Sequence, residues 1–123
     1  MAGLPLNTFK NITKVPVVVG TPSSGSTLGT VYSAPLGVTS IVLMAQVANV
    51  GAGEAYVTAV HRKGKAPNNI TFIVKDIVVP PNDARLLLGG KLVLESLDSL
   101  QIYTNDGTNP LHFISSVLET ANQ

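Results

Sequence analysis

The residues that could do chemistry in this chain are few, and they lie far apart. The 123 residues include two histidines, His61 and His112, and no cysteine. Disulfides, thiol catalysis and thiolate metal sites are therefore excluded. A zinc site would need both histidines together with carboxylates, but the histidines fall on separate predicted strands and neither has a second ligand at a local metal-binding spacing. We predict no metal site and no cofactor.

The carboxylates that could act as acids or bases are scattered, mostly at predicted turns, and they are Asp76, Asp83, Glu95, Asp98 and Asp106. Catalysis by paired carboxylates needs two groups tuned by burial and by each other's charge, and no spacing indicates such a pair. No GxSxG nucleophile turn and no calcium-binding loop is present. We predict no catalytic residue. A small hydrolase would require a pocket lined by His61 or His112 with a carboxylate within hydrogen-bonding reach.

One local concentration of charge, the sequence HRKGK, contains His61, Arg62, Lys63 and Lys65. These side chains could contact phosphates or acidic groups of a partner. The alternative is a solvated basic turn that keeps one end of a sheet in water. No aromatic residue is interleaved to stack on bases, and the net charge is only +1, so we do not expect nucleic-acid binding. The four residues are our candidates for an electrostatic contact.

Short β-strands are the elements that must position these residues. Residues 40–49 and 69–79 alternate apolar and polar side chains, are rich in β-branched residues and are bounded by turn formers. Similar segments follow one another along the chain, at residues 9–19, 30–34, 55–61, 84–88, 91–95, 100–104 and 111–118. About eight strands at this spacing predict an all-β, single-domain, jelly-roll-like β-sandwich.

We divide the chain into residues 1–29 and residues 30–123. The first part is an N-terminal arm with an edge strand and a Gly/Ser-rich loop, and the second is the sandwich domain. Pro16 interrupts the first strand, which predicts either a sheet edge or an extended arm. No signal-peptide pattern is visible, and the longest mostly apolar run, residues 41–50, is too short to span a bilayer, so no membrane partner is expected.

The chain contains few charged residues for a soluble domain. Only 12% of its residues are charged, about half the usual share. Alternation predicts several inward-facing sets, namely Ile41, Leu43, Ala45 and Val47; Ile70, Phe72 and Val74; Leu92 and Leu94; Leu100 and Ile102; and Phe113, Ser115 and Val117. It also leaves many apolar residues outward, namely Val42, Met44, Val57, Ala59, Ile73, Val93, Ile114 and Leu118. Strands that are apolar on both faces must be covered on both faces.

We therefore predict that the chain self-associates as a homo-oligomer, with a trimer as the first hypothesis. An extended apolar arm comprising residues 1–19 could add a strand to a neighbouring sheet. The predicted contact residues lie in this arm and on the outward apolar faces, and they are Leu4, Leu6, Phe9, Val17, Val42, Met44 and Ile114.

Several turn-and-strand segments together resemble a known class of proteins. They are TVYSAPLG at residues 30–37 with the strand at 39–49, VVPPN at 78–82, GKLVLESLDSL at 90–100, and FISSVLE at 113–119. This set resembles small β-rich virion structural proteins of tailed bacteriophages. The resemblance covers residues 30–119. The chain departs from the pattern at Ser96-Leu97, where Ala-Gly would be expected, and in its longer basic connection at residues 62–69.

The resemblance implies a non-enzymatic virion protein, made in the host cytoplasm, whose partners are its own copies and the major capsid protein or other virion proteins. A capsid decoration, or cement, protein is the expected role, and a neck, tail or baseplate component is the alternative within this class. From another class, a carbohydrate- or receptor-binding module is the alternative, with Tyr32, Tyr56 and Tyr103 as its aromatic surface.

Overall fold

The computed structural model describes residues 7–23, 26–64, 69–105 and 107–121. These residues form nine strands and no helix, in two antiparallel sheets that pack face to face. The strands are β1 (Asn7–Lys14), β2 (Thr30–Ser33), β3 (Val38–Asn49), β4 (Ala55–Arg62), β5 (Ile70–Val79), β6 (Ala84–Leu86), β7 (Leu92–Leu94), β8 (Ser99–Thr104) and β9 (Leu111–Ala121). The predicted all-β sandwich is confirmed.

The strand order is that of a jelly roll. Sheet A runs β1-β9-β3-β6, with β7 also paired to β3, and sheet B runs β2-β8-β4-β5. Strands β6 and β7 pair with successive stretches of β3, so together they occupy the place of one interrupted strand. The pairs β1 with β9, β2 with β8, β3 with β6 and β7, and β4 with β5 are those of one long hairpin rolled into two sheets.

A β-bulge in β3 reverses the face that its residues present. The register shifts between Val42 and Met44, so the inward residues are Ser40 and Val42 before the bulge and Ala45 and Val47 after it. The Ser115 hydroxyl donates a hydrogen bond of 2.7 Å to the carbonyl of Met44 at this point. A single extra residue exchanges the two faces of a strand. The inward assignment is therefore confirmed for Ala45 and Val47 and wrong for Ile41 and Leu43.

The core contains two residues that the sequence analysis predicts to contact another chain. Val42 is fully buried between the sheets, and Val17 is buried beside it in the same apolar cluster. The N–H of Val17 donates to the carbonyl of Leu111 at 2.8 Å, which fixes the segment after β1 to the start of β9. Their assignment to a partner contact is thus replaced by a place in the chain's own core.

Other faces also differ from the simple alternation. Val57 and Ala59 are buried in the core, and Ile73 packs against it, so these three point inward. The pairing of β4 with β5 contains two register shifts, which place Phe72 opposite Val60. Phe72 is consequently exposed rather than inward. The inward sets predicted for β7, β8 and β9 are confirmed.

Strand β1 occupies one edge of sheet A. It pairs with β9 without a bulge, from Asn7 opposite Thr120 to Lys14 opposite Phe113. Of the two alternatives that Pro16 left open, the edge strand is the one observed. From residue 7 onward, the segment predicted to pair with a neighbouring copy is paired within its own chain.

The described part of the segment that follows β1 covers the outer side of β8 in sheet B. The N–H of Thr104 donates to the carbonyl of Val18 at 2.9 Å, and the N–H of Ile102 donates to the carbonyl of Gly29 at 2.8 Å. Tyr103 and Gln101 point away from the core yet are buried, because this segment lies over them. The Gln101 amide donates to the Ser26 carbonyl at 2.9 Å. The outward apolar surface of β8 is therefore covered by the chain itself and not by a neighbour.

Gly29 makes this cover possible, which generates a first prediction. A Cβ at position 29 would lie 2.5 Å from the Tyr103 ring, whereas a Cβ at Gly89 would meet nothing within 4 Å. We expect Gly29→Ala to lower the free energy of unfolding by about 1–3 kcal/mol, as overpacking does. Gly89→Ala is the matched control and should be neutral or slightly stabilising. Urea unfolding of both variants provides the measurement, and equal midpoints would contradict the packing argument.

Candidate functional site

The outer face of sheet A carries an apolar row across four strands. Phe9 on β1 is opposite Leu118 on β9, Leu118 is opposite Ile41 on β3, and Ile41 is opposite Val93 on β7. Residues opposite one another on paired strands point to the same face. Phe9 is 73% exposed and Val93 is 54% exposed. A second row crosses the face at Gln46 on β3, which is opposite both Ile114 and Leu86. Ile114 and Leu86 are also exposed.

No lysine, arginine, aspartate or glutamate occupies this face within the described strands of sheet A. We call it the sheet A outer face, and its residues are Asn7, Phe9, Asn11 and Thr13; Thr39, Ile41, Leu43, Met44, Gln46 and Ala48; Ala84, Leu86 and Val93; and His112, Ile114, Ser116, Leu118 and Thr120. The face thus offers apolar and neutral hydrogen-bonding groups only.

Three of the contact residues predicted from sequence lie on this face. Phe9 and Ile114 are exposed there, and Met44 is partly buried. Leu4 and Leu6 lie outside the described residues. Val17 and Val42 belong to the core, as described above. These three predicted contact residues therefore share one surface, a grouping that no local pattern in the sequence indicated.

The second notable feature is an open cleft between the edges of the two sheets. It lies between β5 of sheet B and β7 of sheet A, has a volume of about 420 Å³ and includes Ile73, Leu92, Val93, Thr71 and His61 in its lining. Ile73 and Leu92 are partly buried and pack against the core. The cleft is therefore a place where the apolar interior reaches the surface. We call it the edge cleft.

Asp98 ties together the segments at one end of the edge cleft. Its carboxylate accepts hydrogen bonds from the backbone N–H groups of Gly64 and Glu95, both at 3.1 Å, and from the His61 ring at 3.1 Å. Lys63 adds an ion pair at 3.3 Å. Burial of Asp98 raises the pKa of its carboxyl, but these hydrogen bonds outweigh burial and hold the pKa below its ordinary value.

The described residues of the basic turn bind acceptors within the chain. Lys63 is paired with Glu95 as well as with Asp98, and the hydrogen bond to Glu95 raises the pKa of Lys63. Arg62 is buried and donates to the carbonyl of Ser26. Lys65 lies outside the described residues. The alternative of a solvated basic turn does not hold for the buried Arg62, and the role of His61, Arg62, Lys63 and Lys65 in an electrostatic contact stays a prediction.

The pairing of His61 with Asp98 is the arrangement that a hydrolase would require, so its surroundings matter. The two residues are 37 positions apart, and only the pairing of β4 with β8 brings them together. A hydrolytic triad also needs a hydroxyl hydrogen-bonded to the histidine. Across the described ranges, His61 has no hydrogen bond to a serine or threonine hydroxyl. The four donors to Asp98 indicate a structural tie between turns.

A smaller polar cluster lies at the β1 side of the same end of the sandwich. The Tyr32 hydroxyl hydrogen-bonds to Ser40 at 2.7 Å and to the carboxylate of Glu119. Lys10 forms an ion pair with Glu119 at 3.2 Å. Burial and the hydrogen bond to Glu119 raise the pKa of Tyr32 to about 12. Tyr32 and Tyr103 are both buried, so they do not form the aromatic surface that a carbohydrate site was predicted to use.

In the part of the chain that the structure describes, no group of three histidine, aspartate or glutamate residues comes close enough to hold a metal ion. None of the elements formed by those residues is a helix of the length and apolar character needed to cross a membrane.

Comparison with known proteins adds a likeness of fold. No family model and no curated protein matches the sequence. The structure is similar to that of a Bacillus endospore appendage, described as belonging to a novel family of disulfide-linked pili, with a TM-score of 0.52 and 12% identity over all of this chain and 95% of that one. The present 123 residues contain no cysteine, so they have no means of forming such a linkage.

Two virus structures show weaker similarity. The T13 particle of infectious bursal disease virus gives a TM-score of 0.46 and 11% identity, and the Gx strain of that virus gives 0.44 and 10%. This chain spans 36% and 32% of those two chains. At these values the viral likenesses support no argument, and the likeness to the appendage subunit establishes the fold alone. The resemblance to tailed-phage proteins stays a prediction.

The Asp98 tie gives a prediction about pH. The pKa of Asp98 is lower in the folded chain than in the unfolded one, so its contribution to stability is present above about pH 4 and is lost as the pH falls further. At neutral pH we expect Asp98→Asn to lower the free energy of unfolding by roughly 1.5–3 kcal/mol, because charge-assisted hydrogen bonds are lost. The difference from the unmodified chain should shrink on acidification. Urea unfolding at several pH values measures it, with the exposed Glu95→Gln as a control that changes little.

The Tyr32 cluster predicts an alkaline transition. Because the pKa of Tyr32 is raised to about 12, its contribution to stability is complete below about pH 10 and is lost as the pH rises through 12. Titration of phenolate absorbance should show one group ionising near pH 12 in the unmodified chain. That group should be missing from Tyr32→Phe. An unchanged titration curve would contradict the assignment.

Proposed function

We propose that this chain is a non-enzymatic structural subunit of a virion, which self-associates and binds the viral shell as a decoration protein. The observation that carries the proposal is the sheet A outer face, where apolar rows cross four strands and the described residues include no charged group. The sequence resemblance to phage virion proteins supports the same role. The jelly-roll fold is compatible with it, since jelly rolls recur among capsid proteins.

The two faces of the sandwich suggest where association occurs. The chain covers the outer side of β8 in sheet B with its own residues 18–20 and 26–29, whereas the sheet A outer face has no such cover among the described residues. Burying one large apolar side chain such as Phe9 contributes about 1.5–3 kcal/mol. Because the face is uncharged, two copies can bring it into contact without desolvating an ion.

The area of the sheet A outer face is small for a stable interface. Four strands spaced about 4.8 Å apart and some eight residues long give roughly 500 Å² of flat area. Two such faces bury about 1,000 Å², which is the lower limit for a specific interface. A stable assembly would therefore need a second contact in addition to this one.

A neck, tail or baseplate role would use the same surface, and binding to isolated shells separates it from decoration. The carbohydrate-binding alternative receives no support, because two of its three tyrosines are buried.

Substitution of Phe9 tests the proposal. Phe9→Lys places a charge at the β1 end of the apolar row, and loss of the ring from the proposed interface should weaken association about tenfold to a hundredfold. Phe72→Lys is the matched control, since Phe72 is an exposed phenylalanine on the outer side of sheet B. Sedimentation velocity over a range of concentrations measures self-association, and cosedimentation with undecorated shells measures shell binding.

The two variants should differ in association and not in stability, because both rings are exposed in the single chain. The proposal would be overturned by an unmodified chain that stays monomeric at high concentration and does not bind shells. It would equally be overturned if Phe9→Lys and Phe72→Lys associated with equal strength.

A further inference from the structure

The edge cleft has a fitting occupant in this chain, and we propose that it receives residues 1–6 of a second copy. This inference rests on the self-association proposed above and names a second contact for it. The cleft lies between β5 and β7, and Ile73, Leu92 and Val93 provide its apolar surface.

The chemistry of the cleft selects an uncharged ligand. Ile73 and Leu92 are only partly buried although they pack on the core, and Val93 is exposed. The charged groups at the rim are already satisfied, since Lys63 is paired with Glu95 and Asp98, and Asp98 also accepts two backbone hydrogen bonds. An ion entering the cleft would have to displace one of these partners, whereas an apolar chain would not.

The backbone at the cleft favours an extended chain. In the described sheets, β5 has one neighbour, β4, and β7 has one neighbour, β3. Each strand therefore has a free edge of N–H and C=O groups. A segment in extended conformation can pair with such an edge while its alternate side chains enter the apolar surface between the sheets.

Residues 1–6, with the sequence MAGLPL, have the matching composition. They contain no charged side chain. Leu4 and Leu6 are two positions apart, so an extended conformation would direct both to one side. Pro5 disfavours helical geometry at Leu4 and favours the extended form.

The distance between β1 and the edge cleft indicates that residues 1–6 enter the cleft of another copy. The segment precedes Asn7 on β1, and β1 is separated from β7 by β9 and β3, which makes three strand spacings, or about 14 Å. At about 3.5 Å per residue, Leu6 reaches only about 3.5 Å from Asn7 and Leu4 about 10 Å. Neither leucine reaches the cleft of its own chain, so the cleft that they enter belongs to a neighbour.

The segment of one copy binds the cleft of another, so the two surfaces in contact are different. Two copies that exchange segments form a closed dimer, and repetition of the contact in one direction closes a ring or continues as a filament. It also supplies the second contact that the limited area of the sheet A outer face requires.

Site-directed cross-linking tests the inference, because the chain has no cysteine of its own. One preparation carries Leu4→Cys and a second, differently tagged preparation carries Val93→Cys. The matched control is Val50→Cys, since Val50 is a valine 52% exposed, compared with 54% for Val93, and lies in the turn after β3 outside the cleft. After mixing under mild oxidation, the Val93 pair should give at least about tenfold more mixed disulfide than the Val50 pair, because binding raises the local concentration.

The outcomes separate this inference from the proposed function. Sedimentation of the unmodified chain and of a variant lacking residues 1–6 is measured alongside. If the unmodified chain associates but the Val93 and Val50 pairs cross-link equally, the cleft assignment is overturned and self-association stands. An intramolecular disulfide in a monomeric chain carrying both Leu4→Cys and Val93→Cys would overturn the assignment to a second copy. A chain that is monomeric throughout would overturn both proposals.

Discussion

Hydrogen bonds of residues 18–20 and 26–29 with β8 make the two sides of this sandwich different, and most of its surface chemistry follows from that difference. They hold these residues beside Tyr103 and Gln101, so that β8 of sheet B is buried on both faces by the chain itself. Sheet A receives no comparable cover from the described residues. A jelly roll with one covered and one bare sheet has a defined side from which a neighbour can approach.

The Asp98 tie has a comparable role at the open edge. It fixes the turn after β4 to the turn before β8 through two backbone N–H groups and two side chains. Because the carboxylate accepts these hydrogen bonds within the chain, it holds the two turns together and pairs the charge of Lys63. The cleft beside them is left with an apolar surface and a rim of paired charges.

The sheet A outer face and the edge cleft share a shortage of charge, which the amino-acid composition already indicates. With 12% charged residues and a net charge of +1, identical copies repel one another little, and neutral faces can meet without desolvating ions. In the association that we propose, affinity would come from apolar area and backbone pairing, which is the chemistry of the outer face and of the edge cleft.

The sequence by itself determined the all-β sandwich and most of its strands, because these depend on local properties, namely β-branched alternation and turn residues. The proline at position 16 left an edge strand and an extended arm open, and the pairing of β1 with β9 decided for the edge. The sequence also determined the inward residues of β7, β8 and β9, where no bulge interrupts the period of two. Only the tertiary structure decided which face of β3 is buried, because the bulge after Val42 depends on pairing with β9. The same holds for Val57 and Ala59, since β4 is apolar on both faces and alternation alone cannot choose between them. Long-range pairing likewise brings His61 to Asp98 and residues 18–20 and 26–29 to β8, and no local pattern encodes contacts between residues so far apart in the chain.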